Sequence, residues 1–411
     1  MVNSTFKCRV CNNNLSITID FGLMPIANNL LEPKDDVVKS EFKFHMQTAV
    51  CNVCGCFQIV KVPDKYLMFN NSYAYFASQS KSMTHHFKIL GDSIMENFIK
   101  DDSDYVLDLG SNDGIFLKNF VDRKVDHLGV DASENVVNNS KSKGINAICG
   151  FFNQDLCKSI IEKKGKAKVI ISTNTMHHIE KCHEVLEGMD LLLKEDGIII
   201  LEDPYLPDML KLGSFEQIYA EHNFIWCCSS YKTLFEKYSF FLNSVEHFSI
   251  HGGSMRYYFS RKRDRSKSVD QYLDLEKNIK VSDNLTYENF KIKSEDVCNK
   301  LKKFLIEKKS RGKRICGYGA TAKSTTLLNF ANIDRSLVEC IYDSTPAKIG
   351  KITPGTHIPI KDASKFHVEN FDYTILFAWN LKNEIITKER NSGAKTTWVE
   401  YVPEIKLINA N

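Results

Sequence analysis

A chain of 411 residues has room for two or three domains, and with 43% hydrophobic and 11% aromatic residues it can fill proper cores, which excludes disorder as its default state. Its 54 Lys and Arg against 51 Asp and Glu leave a net charge of +3, too near balance to mark a nucleic-acid or membrane partner. Two basic runs, "RKRDR" at 261–265 and "KKSRGKR" at 308–314, read as solvated surface.

The N-terminus "MVNSTFKCRVCNNN" has no apolar signal core, and no apolar run in the chain is of spanning length, so a cytoplasmic protein is expected. Thirteen cysteines, an odd number and mostly scattered, argue against a secreted disulfide framework. Cys8 and Cys11 form one C-x-x-C, Cys51 and Cys54 a second, with thirty-nine residues between the pairs. Two such knuckles suit a closed tetrahedral zinc site, which has no open position for water and is therefore structural. A redox dithiol and four unrelated buried cysteines are the alternatives, and Cys56 is a further thiol close by. The long spacer predicts strands in "LSITIDFG" and "FKFHMQTAVC".

From "YVLDLG" onward, short apolar strands ("HLGVDAS", "AKVIISTNTM", "DGIIILEDP") alternate with helical stretches, predicting an α/β fold with a parallel sheet covered on both faces. The turn "DLGSNDG" offers Asp108, Gly110, Ser111, Asn112 and Gly114 to a ligand, and helix formation is expected in "GIFLKNF". Asp131 ends the next strand, 23 residues after Asp108, where a carboxylate can accept from ribose hydroxyls. A dinucleotide fingerprint would want glycine where Asn112 stands; S-adenosylmethionine, lacking phosphates, tolerates the side chain and can still set its carboxylate at a helix N-terminus. A nicotinamide or flavin cofactor, or an ordinary tight turn, stays open. Asn174 begins the loop "NTMHHIEK", where His177 or His178 would reach a substrate; in an extended segment only one can point inward. Plain packing is the competing reading of that pair.

In "GSFEQIYAEHNFIW", helical spacing would put Tyr219 and His222 on one face and turn Glu221 about 100° away. A surface helix with Tyr219 half buried is the bland alternative. The composition turns charged near 265, and "NFKIKSEDVCNKLKKFLIEKK" has helical spacing. "RICGYGATAKSTTLLN" then reads as strand, glycine turn and helix, with Gly317, Gly319 and Lys323 as candidate ligand residues and Asp343 twenty-four residues after Gly319. Taken alone, that fingerprint suggests NAD, a second nucleotide ligand, or a purely structural Rossmann-like half.

The cysteine knuckles, "GSNDG", "IYAEH", "HGGSMR", "GYGATAKSTTLLN" and "PGTHIPI", in this order over nearly the whole chain, resemble the sugar C-methyltransferases acting on nucleotide-linked 4-keto-deoxy sugars. The resemblance implies a zinc-binding domain (1–66), a class I methyltransferase domain using S-adenosylmethionine (67–265) and a Rossmann-like domain (266–411) that helps hold the sugar nucleotide, with Lys323 near its phosphates. It implies His222 as catalytic base, Tyr219 and Glu221 beside it, His178 at the strand end, and Tyr73 and Tyr75 from a Tyr-x-Tyr segment. The family's Tyr-His-Glu-His becomes Tyr219-Ala220-Glu221-His222 here, a departure that bears on the substrate. Methylating carbon beside a ketone needs a base for the α proton, suited to a neutral imidazole, and donors for the enolate oxygen, suited to tyrosine or a second histidine. A different methyl acceptor is one alternative. A nicotinamide-dependent oxidoreductase or epimerase is another, but the only Tyr-x-x-x-Lys pairs, Tyr258/Lys262 and Tyr287/Lys291, precede the fingerprint. Near-neutral charge disfavours a zinc-ribbon nucleic-acid binder.

Overall fold

A computed structural model describes residues 6–69, 77–79 and 81–409. Strands β1 (Ser16–Pro25), β2 (Lys43–Val50) and β3 (Phe57–Ile59) form an antiparallel meander, with both strands expected between the cysteine pairs present. Strands β4 (Val106–Leu109), β5 (His127–Asp131), β6 (Ala147–Cys149), β7 (Ala167–Thr173) and β8 (Leu193–Pro204) run parallel in the order β6-β5-β4-β7-β8. All four residues of β4 are buried, as befits a central strand covered on both faces. β9 (Phe224–Ile225) leaves this unit to pair with β3, so the N-terminal sheet takes its fourth strand from mid-chain. β10 (Phe241–Phe248) and β11 (Ser254–Ser260) complete the seven-stranded sheet, β11 lying antiparallel between β8 and β10.

The third sheet holds β12 (Ile315–Tyr318), β13 (Ile341–Asp343), β14 (Ile360–Asp362), β15 (Tyr373–Leu376), β16 (Thr397–Glu400) and β17 (Lys406–Ile408) in the order β14-β13-β12-β15-β16-β17, parallel except for the last pair. The chain goes from β12 to one side and later returns on the other, so the switch point, where such sheets take ligands, lies at the end of β12.

Two helices join the middle and last sheets. The expected long helix spans Asn284–Ser310, and Tyr287, Phe290, Ser294, Cys298, Leu301 and Leu305 bury a single stripe at three- and four-residue spacing. Asp283 caps it by accepting from the Leu285 amide. The helix Lys267–Asn278 is tied to the middle unit by Glu276, whose buried carboxylate accepts from Tyr205 Oη at 2.9 Å and from the amides of Cys228 and Ser229 at 2.6 and 2.9 Å. Among the described residues no helix is long and apolar enough to cross a membrane.

Candidate active site

The cysteine frame closes as its spacing predicts. Cys8 and Cys54 bring their sulfurs to 3.7 Å, Cys11 and Cys51 to 3.4 Å, and all four lie within 4.8 Å of one another. A Zn–S bond of about 2.3 Å sets tetrahedral sulfurs about 3.8 Å apart, so the donor set fits zinc without rearrangement. N–H groups of Val10, Asn13 and Gln58 point at Cys8 or Cys11 sulfur, as suits thiolate ligands. Cys56 stays outside the group, buried, with its carbonyl bound to the Cys51 amide.

At the end of β4, Gly110 and Gly114 both take φ of 79°, and an added Cβ would strike Thr175 and Ile145 respectively. Asn112 is also left-handed, and its amide donates to Asp131 Oδ2 at 2.9 Å, so Asp131 shapes the turn as well as facing it. Ser133 N holds the other Asp131 oxygen at 2.9 Å. Beneath the turn, Asp108 Oδ1 and Ser111 Oγ are buried with no hydrogen-bond partner among the described residues. Burial, with Asp131 beside it, pushes Asp108 up to about 8. These unspent polar groups around a glycine turn fit an adenosyl ligand. The helix expected in "GIFLKNF" is only Lys118–Val121, after a series of turns, so the cradle is made by the turn itself and not by a helix dipole. Asn174 stands at the end of β7 with φ of 52°, its amide on the Glu202 carbonyl at 2.6 Å.

The histidine loop is not extended. Met176–His178 forms a turn of 3₁₀ helix, and its tighter winding brings both imidazoles inward where alternation would have turned one away. Ring centroids of His177 and His178 are 4.1 Å apart, His177 and His222 4.3 Å, His178 and His222 5.0 Å. Each ring has a separate anchor at Nδ1: the Asp203 carboxylate for His177, the Glu221 carbonyl at 2.7 Å for His178, the Gln217 carbonyl at 2.6 Å for His222. Tyr231 Oη donates to the other Asp203 oxygen at 2.5 Å. Burial pushes His177 and His178 down to about 3 and His222 well below its ordinary value, while it raises Asp203 to about 7. The three imidazoles are therefore neutral at physiological pH.

The segment expected as a helix through Tyr219 and His222 is irregular. Phe215–Gln217 is one 3₁₀ turn, Ile218 is extended, and a further turn from the Tyr219 carbonyl to the His222 amide (2.8 Å) leads into β9. An amphipathic helix needs a wet face, and this stretch has none: every residue from Ser214 to Trp226 is buried except Tyr219, which is half buried. Tyr219 and His222 still meet, at 3.7 Å between ring centroids, through the turn. The helical spacing that would have turned Glu221 about 100° from His222 does not apply here; Glu221 is buried and bonds toward the N-terminal unit. Its Oε1 accepts from the Asn28 amide at 3.1 Å, and its Oε2 has no partner among the described residues. Ala220 packs with Ile26 and Met68. Tyr73 and Tyr75 lie outside the described residues.

The C-terminal unit braces this segment. Thr326 Oγ1 donates to the Ile218 carbonyl at 2.9 Å, Thr325 Oγ1 to the Ala27 carbonyl at 3.1 Å, and Trp379 Nε1 to Glu216 Oε1 at 2.8 Å. Lys323 lies over the Trp379 ring at 4.5 Å, lowered to about 8 by burial, with Glu216 acting against that shift. Gly252 of "HGGSMR" makes room for Trp379, which an added Cβ would meet at 2.4 Å. Gly319 turns the chain at φ of 91°, whereas Gly317 sits in β12 against Phe377 and serves packing. Asp343 is occupied internally, accepting from the Ala320 and Thr345 amides at 2.8 Å each and pairing with Lys348. Sequence reasoning missed Asp203, Gln217, Tyr231 and Thr326. The first had a signal: two successive acids ending the apolar strand "IIILEDP", one of which, Glu202, pairs with His86 and Arg256.

Three family profiles match in succession: a zinc binding domain over residues 8–69, a methyltransferase domain over 83–245 and a C-methyltransferase C-terminal domain over 249–403. Carboxy-S-adenosyl-L-methionine synthase of Nautilia profundicola is 28% identical over 126 residues, 29% of this chain and 52% of that protein. The crystal structure of PH0226 from Pyrococcus horikoshii OT3 matches at a TM-score of 0.37 and 16% identity, over 49% of this chain and 100% of that one. C-methyltransferase NovU of Streptomyces niveus is 30% identical over 411 residues, 98% of this chain and 97% of its own. With that end-to-end likeness and a class I methyltransferase sheet between a cysteine frame and a Rossmann-like unit, the chain belongs to the S-adenosylmethionine-dependent C-methyltransferases.

Proposed function

We propose that the protein methylates a carbon next to the keto group of a nucleotide-linked 4-keto-deoxy sugar, with His222 as the base that enolises it. The observation that carries this reading is the anchoring of His222. Its Nδ1–H is spent on the Gln217 carbonyl, so Nε2 holds a lone pair in a dry pocket shared with Tyr219 and His178. Burial keeps that imidazole unprotonated before the substrate arrives. As the α proton leaves, the enolate's negative charge beside the ring stabilises the imidazolium that burial alone would disfavour. Tyr219, whose ring lies against that of His222, would donate to the enolate oxygen.

S-adenosylmethionine supplies the electrophilic methyl group. Gly110, Ser111, Asn112 and Asp131, with Asp108 behind them, would hold it, and Asn174 would border it from the end of β7. Four cysteines hold zinc away from the chemistry. Gly319 and Lys323, just after β12, support a sugar-nucleotide site on the C-terminal unit, Lys323 being a cation that lies over Trp379 and acts on Glu216.

The test is solvent exchange. In D2O with S-adenosylhomocysteine and a nucleotide-linked 4-keto-6-deoxy sugar, the enzyme should wash deuterium into the α position. His222→Ala should slow this by about 10²-fold or more while binding S-adenosylmethionine about as tightly as before. Undiminished exchange in the variant overturns the base assignment, and no exchange in the unaltered enzyme overturns the enolisation reading.

A further inference from the structure

We propose that His177, His178 and His222 form a second metal site, distinct from the cysteine frame, that takes one divalent transition-metal ion of the zinc type. Each imidazole offers one ring nitrogen, and these nitrogens lie within 4.8 Å of one another. Across a tetrahedral zinc with Zn–N of about 2.0–2.1 Å, ligand nitrogens stand about 3.3 Å apart, so closing the site needs ring movements of about 1.5 Å at most.

The surrounding groups fix which nitrogens are available. Carbonyl oxygens only accept, so His178 and His222 carry their protons on Nδ1 against Glu221 and Gln217 and present bare Nε2. Asp203, once ionised, does the same for His177. All three Nε2 lone pairs are then unspent within one cluster, with no hydrogen bond to any of these Nε2 atoms among the described residues. An arrangement of acceptors without a donor calls for a cation. Histidines that bind metals give the other N–H to a carboxylate or carbonyl, and here all three do. An ionised Asp203 adds negative charge against His177, while the positive charge of Lys323 opposes a cation at His222. Three protein ligands leave a fourth position for water or a substrate oxygen.

The site has a consequence for the reaction. A metal ion on His222 Nε2 takes the lone pair that removes the α proton, so metal loading silences proton abstraction. That consequence, and not the metal binding, rests on His222 being the base.

Cobalt separates the two. The purified enzyme, with zinc in its cysteine frame, should bind one equivalent of added Co2+ with the visible bands of tetrahedral nitrogen and oxygen ligation and without thiolate-to-cobalt charge transfer. His177→Gln should weaken this at least about tenfold, and Asp203→Asn, which alters the anchor of His177 and the partner of Tyr231 but removes no ligand, about tenfold or more. Near-UV circular dichroism and cysteine-bound zinc should match the unaltered enzyme in both variants. Absence of the nitrogen-type spectrum, or cobalt affinity unchanged in both variants, overturns the proposal. In the exchange assay, added Zn2+ should inhibit deuterium wash-in at saturating keto-sugar; cobalt binding with uninhibited exchange upholds the site and overturns the role of His222 instead.

Discussion

Two nitrogens with different duties distinguish His222 from a surface imidazole: one is tied to the Gln217 carbonyl and the other is left bare beside Tyr219. His178 is built the same way and is open to direct measurement. Burial holds it to about 3 in the fold against 6.5 ordinarily. Between those values the unfolded chain binds a proton that the native ring refuses, so His178 withdraws stability as pH falls below about 6.5 and costs nothing above it. Asp203, raised to about 7, works the other way, withdrawing stability as pH rises from about 4 to 7. Ring-proton NMR should find His178 neutral from about pH 8 to pH 5, and a midpoint near 6.5 would contradict its burial. At this scale the sequence was informative about residue type more than surroundings. His222, Tyr219 and His178 were recognisable as a set, but Asp203 acts on His177 across twenty-six residues, and Gln217, only five residues from His222, acts through a backbone carbonyl that its residue type does not announce. Ala220 shows the same limit: it stood out as a departure bearing on the substrate, and it packs against Ile26 and Met68.

Among elements, the two parallel sheets were legible because central parallel strands are short, mostly apolar runs ended by glycine turns, a pattern local in sequence. The stretch from Phe215 to Phe224 was not. Its apolar residues recur at near-helical intervals, but units from both ends of the chain cover its polar side as well, so no solvent face selects a helix. The charged run before Lys267 likewise conceals how firmly the next helix is held. Glu276→Ala leaves the Tyr205 hydroxyl and two backbone amides without an acceptor in a buried place. It should cost about 3 kcal/mol, seen as a thermal midpoint lowered by several degrees, with Glu276→Gln recovering part of the loss. A change within about 0.5 kcal/mol would show that the carboxylate is replaceable by water.

In the whole molecule, three regions meet on four residues. Ile218 is held by Thr326 from the C-terminal unit, Glu221 by Asn28 from the N-terminal one, and the middle unit contributes His178 to the Glu221 carbonyl. Stripping zinc from the cysteine frame should therefore abolish methyl transfer while leaving the cofactor turn able to bind S-adenosylhomocysteine by calorimetry. Full activity in protein shown by metal analysis to be zinc-free would refute that dependence.

The strand β9 carries the same arrangement into the molecule's history. A segment of the methyltransferase unit completes the N-terminal sheet by pairing with Phe57 and Gln58, so neither unit has its finished surface without the other. Such a chain does not divide into exchangeable modules. A cysteine-bearing region grafted from a relative would have to match β9 in register and Asn28 in position before the graft could work. Recombination between family members should thus survive most readily at the exposed charged stretch 261–266, where the chain passes between elements, and least readily anywhere between Asn28 and Trp226.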